Sequence, residues 1–110
     1  MARRVGLHET CGVVRFRKAA AVAEAAGVNI CLHGVFETGI TTCASNQVAA
    51  TLSNMDGGNQ IMWRLLTEDI VARPSLVPKE GALTVSDLPG LGFELNRDAV
   101  ARAAEAYRKL

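Results

Sequence analysis

Four side chains that could carry chemistry stand just after short apolar segments of the chain. His33 ends one apolar segment, and Glu37 comes four residues later. His8 and Glu9 follow a second, shorter segment near the start of the chain. Folds built of strand-helix units gather their catalytic side chains at the C-terminal ends of strands. An imidazole exchanges a proton near neutral pH, so His33 is a candidate general acid or base.

Two cysteines suggest a different chemistry for the same histidines. The chain contains His8-x-x-Cys11 and Cys31-x-His33, and sulfur with imidazole suits Zn²⁺. Residues 31 and 33 would share one strand face. However, the residues between the two pairs have the pattern of a helix and a turn, unlike any standard zinc finger. A zinc-binding module is therefore kept as a minor alternative.

The elements that must position these residues alternate between strand and helix. We predict a strand over 4–7, a helix over 13–26, a strand over 28–33 and a helix over 40–52. Gly27 supplies the left-handed residue that ends the first helix. Residues 60–63 fit either a short strand or the start of a helix. This order predicts the α/β class with a parallel sheet.

The pattern changes after Asp69, where prolines interrupt the chain. We predict a hairpin that joins 76–77 to 83–85 through a turn at 79–81, then a strand over 93–95. Asn96 is the predicted cap of a final helix over 97–109. We therefore divide the chain into strand-helix units over 1–72 and an antiparallel and helical return segment over 73–110.

Composition and charge exclude several classes of partner. The 110 residues are 49% apolar and 21% charged, with a formal net charge of +1. This balance gives no reason to expect nucleic acid or an anionic membrane as a partner. No apolar run approaches the length of a membrane span, and no apolar core of a signal peptide follows the first residues. Three cysteines without a dense framework fit reduced thiols, so we expect a cytoplasmic protein.

Four segments, in order, resemble one enzyme family. They are FRKAAAVAEAAGV (16–28), LHGVFETGI (32–40), LLTEDIV (65–71) and DLPGLGF (87–93). In the same order, they resemble four parts of an enolase-superfamily enzyme. These parts are the sixth helix leading into strand seven, the end of strand seven with its loop, the segment after strand eight, and the return segment. The chain thus resembles the C-terminal third of enzymes of the mandelate racemase and muconate-lactonizing type.

The resemblance implies a fold, a reaction and a place for each candidate residue. It implies the C-terminal fragment of a (β/α)7β TIM-type barrel, and Mg²⁺-assisted removal of a proton next to the carboxylate of a small substrate such as an acid sugar. The Mg²⁺ ligands of the family lie on earlier strands, so no metal ligand is expected in this chain. His33 matches a catalytic histidine of strand seven, and Glu37 resembles a loop acid. His8 and Glu9 would face the substrate pocket. Racemase, dehydratase and cycloisomerase activities all stay open.

The chain departs from the family pattern at two places. An aspartate on strand six usually orients the histidine, yet the first twelve residues hold no Asp and Gly6 stands near the expected position. Glu9 is the only carboxylate nearby. The glutamate that the racemase branch keeps on strand eight is also missing, with Asn59 and Gln60 in that region.

Length predicts that this chain is only part of such an enzyme. A full barrel takes about 250 residues, or about 30 for each strand-helix unit. Residues 4–71 can hold two to three units, and their sheet edges would lack neighbours. We therefore expect inactivity alone, and association with the missing barrel segment or with a second copy. The alternative is a non-catalytic remnant or interaction module that pairs with another chain.

Overall fold

Strands and helices alternate in the first half of the chain and give a mixed α/β fold. The computed structural model describes residues 2–110, with the backbone alone at positions 2 and 63. None of its helices is both long and apolar enough to cross a membrane. In chain order the elements are β1 (Ala2–Val5), α1 (Val13–Ala25), β2 (Asn29–Leu32), α2 (Gly39–Ala49), a 3-10 turn (Trp63–Leu65), β3 (Val71–Arg73), β4 (Glu94–Leu95) and α3 (Arg97–Arg108).

A parallel pair of strands connected by α1 forms the first sheet. β1 and β2 pair in register from Ala2 opposite Asn29 to Val5 opposite Leu32, which confirms the predicted parallel arrangement. Gly27 adopts φ 67° just after α1, and β2 begins two residues later. That left-handed residue ends the helix without strain because glycine has no Cβ. Because β1 and β2 run parallel, both strands end at the same edge of the sheet.

The other side of β2 carries a further stretch of parallel chain. Ile30 forms an isolated parallel bridge with Met55. The Ile30 amide donates to the Asn54 carbonyl (2.9 Å), and the Asp56 amide donates to the Ile30 carbonyl (2.7 Å). Of the two alternatives for residues 60–63, the strand is not formed, and a 3-10 helical turn begins at residue 63. Gly57 and Gly58 follow directly after the bridge, where their conformational freedom disfavours a regular strand.

The core lies between this sheet and the first two helices. Phe16 and Ile30 are its largest fully buried side chains. Phe16 and Ala20 form the buried stripe of α1. The other buried apolar members of the core are Leu7, Leu32, Ala44 and Val48. Cys31 is also buried, so both faces of β2 are closed to solvent there.

The return segment forms a second sheet whose pairing differs from the prediction. β3 and β4 pair antiparallel, with a bulge between Val71 and Arg73, and an ion pair joins Arg73 to Glu94 at 2.8 Å. The prediction of a hairpin between 76–77 and 83–85 is wrong, since only Lys79 and Ala82 form a bridge across the predicted turn. Prolines at 74 and 78 flank the first predicted strand and cannot donate to a ladder. The predicted final helix is confirmed, with Asn96 Oδ1 accepting from the Ala99 amide at 3.1 Å.

Candidate active site

His33 and Glu9 meet at the edge where β1 and β2 end. His33 is the first residue after β2, and its amide donates to the Val5 carbonyl at 3.0 Å. Its Nδ1 lies 2.6 Å from Glu9 Oε1. These two predicted site residues are thus in direct contact, although they are separated by a whole strand-helix unit.

A tight turn after β1 places the Glu9 carboxylate. The Thr10 amide donates to the Gly6 carbonyl at 3.2 Å, and the Thr10 hydroxyl lies 3.0 Å from the same oxygen. The chain therefore folds back on itself, and Glu9 Oε2 accepts from the Gly6 amide at 2.6 Å. One carboxylate oxygen is fixed by the backbone, which leaves the other to face His33.

Gly6 makes this crowded arrangement sterically feasible. A Cβ at this position would lie 2.6 Å from the His33 carbonyl oxygen and 2.6 Å from His8 Cε1. It would also come within 3.1 Å of Glu9 Oε2. Carbon atoms in contact normally stand about 3.5–4.0 Å apart. Only a glycine leaves room here for both the neighbouring strand and the side chains that follow.

His8 completes a cluster of three side chains. Its Nε2 lies 3.7 Å from Glu9 Oε1, and its ring centroid lies 5.9 Å from that of His33. One nitrogen from each ring and one Glu9 oxygen all lie within 4.8 Å of one another. The side chains of His8, Glu9 and His33 are 35%, 43% and 33% exposed, so the cluster is open to solvent.

The electrostatics of the cluster favour an ionised Glu9. The hydrogen bond from His33 is the main cause that lowers the pKa of Glu9; burial opposes it, and the Gly6 amide and the charges of the two imidazoles lower the pKa further. At neutral pH the carboxylate can only accept hydrogen bonds, so His33 Nδ1 carries the hydrogen that joins the pair. In the neutral ring the lone pair then lies on Nε2, which is the atom that could take a proton.

Glu37 lies outside this cluster, although the sequence paired it with His33. Its Oε2 accepts from the Val35 amide at 2.5 Å within the loop before α2. A Cβ on Gly34 would lie 3.1 Å from Glu37 Oε1 and 3.1 Å from the Gln60 carbonyl. Glu37 therefore organises the loop beyond β2, and its catalytic role stays a prediction.

Asn59 and Gln60 lie beside the same end of β2. Asn59 Oδ1 accepts from the Leu32 amide at 2.7 Å, and the Gln60 amide donates to the Leu32 carbonyl at 3.1 Å. The Asn59 side chain thus replaces a backbone carbonyl in the ladder. The sequence marked this pair only as a departure from the family pattern, and nothing local in it indicates the ladder contact.

Sequence interpretation missed the contact of Asp69 with α2. Both Asp69 oxygens accept from the amide of Gly39, the first residue of the helix, at 3.0 and 3.1 Å. Thr38, at the cap position, makes no side-chain cap bond. A carboxylate thirty residues downstream therefore caps the helix that follows the Glu37 loop.

The zinc site predicted from two histidines and two cysteines is not formed. Within residues 2–110, one group of three or more ligating side chains is close enough to hold a metal, and it consists of His8, Glu9 and His33. Cys11 is exposed, and Cys31 is buried in the core. Neither cysteine belongs to that group, so the predicted pairing of Cys11 and Cys31 at one ion is wrong.

Comparisons with known proteins identify the family of the chain. The family described as enolase C-terminal domain-like matches residues 4–99. A chloromuconate cycloisomerase from Cupriavidus pinatubonensis is 34% identical over 98 residues, which cover 89% of this chain and 26% of that enzyme. A probable glucarate dehydratase from Streptomyces coelicolor is 31% identical over 94 residues, covering 86% of this chain and 22% of that protein.

A solved structure extends the similarity to the fold. An enolase from Thermobispora bispora, crystallised with magnesium and formate, matches with a TM-score of 0.77 and 32% identity, covering 88% of this chain and 23% of that one. The chain thus spans about a quarter of the length of the curated relatives it matches. The chain belongs to the enolase C-terminal domain-like family and corresponds to the C-terminal part of an enzyme of the mandelate racemase and muconate-lactonizing type.

Proposed function

We propose that this chain supplies the proton-transfer side of an enzyme that removes a proton next to the carboxylate of a small substrate. His33 is the acid or base, and Glu9 is its positioning residue. The observation that carries the proposal is the 2.6 Å contact between His33 Nδ1 and Glu9 Oε1. Family membership supplies the reaction class.

The contact gives the two residues distinct tasks. Glu9 accepts the Nδ1 hydrogen, which fixes the orientation of the ring and leaves Nε2 free to take the substrate proton. When the ring becomes positively charged, the same carboxylate stabilises it. After the transfer, a proton donor outside this chain protonates the opposite face of the carbon, or the imidazolium itself donates its proton to a departing hydroxyl. These two outcomes correspond to a racemase and a dehydratase.

The strands of this chain fit a place in a closed barrel. β1, β2 and the stretch at 54–56 run parallel and side by side in chain order. We propose that they are the last strands of a (β/α)7β barrel, with residues 73–110 as its return segment. His33 and Glu9 would then lie at the C-terminal mouth of the barrel, where such folds place their chemistry.

The Mg²⁺ implied by the family does not fit the cluster in this chain. Mg²⁺ requires near-octahedral oxygen ligands, whereas the cluster offers one carboxylate between two imidazoles. We therefore derive no step through Mg²⁺ from these residues. The proposal is restricted to what His33 and Glu9 do themselves.

Two further residues have proposed roles toward the substrate. His8 lies beside Glu9 on the open side of the cluster and would contact the polar groups of an acid sugar. Glu37, fixed by the Val35 amide, would approach from the loop after β2. Neither residue needs to exchange a proton for the His33 mechanism to operate.

A second candidate function is that of an interaction module. Large apolar side chains project from α1 and from the loop after β2, with Val14 68%, Val22 72% and Phe36 71% exposed. Such side chains favour a surface that another chain covers, either the remaining barrel segment or a second copy. This function needs no proton transfer and predicts that replacing His33 changes nothing.

The test joins this chain to the N-terminal part of a relative. Residues 4–99 replace the matched C-terminal segment of the C. pinatubonensis cycloisomerase, and the hybrid is incubated with acid-sugar and muconate-type carboxylates in D₂O. Exchange of the proton next to the carboxylate is followed by NMR. We expect His33→Asn to slow exchange by about 10²–10⁴-fold, the usual contribution of a general acid or base.

Glu9→Gln separates positioning from proton transfer. It keeps the size of the side chain but removes the charge that stabilises the imidazolium, so exchange should slow while substrate affinity changes little. Glu80→Gln, at an exposed position between β3 and β4, serves as the matched carboxylate control. Exchange that persists unchanged in His33→Asn would refute the proposal and favour the interaction module.

A further inference from the structure

We propose that His8, Glu9 and His33 form a binding site for a divalent transition-metal ion such as Zn²⁺. The cluster provides one nitrogen from each imidazole and one carboxylate oxygen, all within 4.8 Å of one another. This ion is different from the Mg²⁺ that the family implies, and the site uses residues of this chain alone.

The donor set selects the class of metal. Two imidazoles and one carboxylate form the ligand set that proteins use for catalytic zinc and for other first-row transition ions. Imidazole nitrogen suits such ions, whereas Mg²⁺ prefers oxygen. The same feature that makes the cluster unsuitable for Mg²⁺ therefore makes it suitable for Zn²⁺.

The distances require only small side-chain movements. Ligand bonds of about 2.1 Å in tetrahedral geometry place two donor atoms about 3.4 Å apart. The observed separations from Glu9 Oε1 are 2.6 Å to His33 Nδ1 and 3.7 Å to His8 Nε2, on either side of that value. All three side chains are partly exposed, so rotations of this size meet little resistance from packing.

The backbone already provides outer-shell support. Glu9 Oε2 accepts from the Gly6 amide at 2.6 Å, which orients the carboxylate and leaves Oε1 as the ligand. Hydrogen bonds of this kind typically fix the orientation of metal ligands. Three protein ligands on an open surface also leave a coordination position for water or for a substrate oxygen.

Metal binding and proton transfer would exclude each other at this site. An ion bound to His33 and Glu9 would replace the hydrogen bond that joins the pair. The loss of proton transfer that would follow rests on the proposed function. The binding itself does not rest on it, because the ligand atoms and their distances are independent of any reaction.

The test uses the fact that the chain contains only two histidines. The full 110-residue chain carrying Cys11→Ser, which removes an exposed thiol, is titrated with Zn²⁺ in metal-free buffer. The imidazole nitrogens are followed in long-range ¹H–¹⁵N NMR spectra. We expect the signals of both rings to shift together and to saturate at one equivalent. A shift of one ring alone, or of neither, would overturn the proposal.

Variants then identify the third ligand by calorimetry. His8→Asn, Glu9→Gln and His33→Asn should each weaken Zn²⁺ binding by about tenfold or more, since loss of outer-shell partners alone costs that much. Glu80→Gln is the matched control, and its affinity should stay within about twofold, as expected for an exposed position outside the site. Equal losses in Glu80→Gln and Glu9→Gln would refute the assignment. Circular dichroism checks that each variant is folded.

Discussion

Replacing Asp69 with alanine should destabilise the start of α2, the helix that follows the Glu37 loop. Both Asp69 oxygens accept from the Gly39 amide, and Thr38 makes no side-chain cap bond of its own. The first turn of a helix has amide groups without partners inside the helix, and its positive end attracts a negative charge. Asp69 satisfies both needs from a distant part of the chain.

The expected loss can be worked from these two contributions. Removing a helix N-cap typically costs about 0.5–2 kcal/mol, and the charge at the helix end contributes about 0.3–1 kcal/mol. We therefore expect Asp69→Ala to lower the free energy of unfolding by about 1–2 kcal/mol. Asp69→Asn keeps an acceptor but loses the charge, so its loss should be about 0.3–1 kcal/mol.

Thermal unfolding of the full chain, followed by circular dichroism, measures the order of stability of the wild type and these two variants. About 4–8 °C of melting temperature corresponds to each kcal/mol in a domain of this size, so alanine should lower it by about 4–16 °C. High salt should bring Asp69 and its asparagine variant closer together, because salt screens the charge but not the hydrogen bond. Asp87→Ala, in an exposed turn, is the control and should change stability by less than about 0.5 kcal/mol.

Two results would refute this reasoning. Asp69→Ala could match the wild-type melting temperature, which would show that water caps the helix equally well. Alternatively, Asp69→Asn could be less stable than Asp69→Ala, which would show that the acceptor contributes nothing. Gly39→Ala tests the contact from the other side, because a Cβ there would collide with the Asp69 carboxylate and would lie 2.6 Å from Leu76 Cδ1.

Two further predictions concern other parts of the chain. Asn96→Ala should lower the free energy of unfolding by about 1 kcal/mol in a denaturant titration, because α3 loses its cap, while Asn96→Asp should retain most of it. Burial, with a contribution from the charge of Asp69, raises the pKa of the Cys43 thiol, whereas Cys11 is exposed. In a mass-spectrometric time course, iodoacetamide should therefore modify Cys11 before Cys43. Because the folded state retains the Cys43 proton more tightly than the unfolded state, stability should fall as the pH rises above the ordinary range of a thiol.

Local signals in the sequence were sufficient to predict the helices and the first sheet. Gly27 ends α1, and Asn96 begins α3, because each residue acts on its own neighbours along the chain. The apolar segments at 4–7 and 28–33 identified two strands that are parallel neighbours. Sequence analysis also predicted His8, Glu9 and His33 as site residues. Glu9 is the only carboxylate in the first twelve residues.

Contacts between distant segments could not be predicted in the same way. The strand predicted over 93–95 had no assigned partner and pairs, as β4, with β3, and Asp69 reaches a helix that begins thirty residues earlier. The joining of Glu9 to His33 depends on a turn that returns the carboxylate to its own strand end. Such contacts depend on three-dimensional packing, which no pattern of neighbouring residues specifies.

The crowding around Gly6 limits how this cluster could be altered by evolution or by design. The family resemblance implies an acidic side chain near this position, yet any side chain attached here would displace the His33 carbonyl and the His8 ring. An aspartate introduced at position 6 would therefore separate the two strands before it could serve the histidine. An aspartate dyad at this position would require the turn at 8–10 to be rebuilt first, so no single substitution can introduce it.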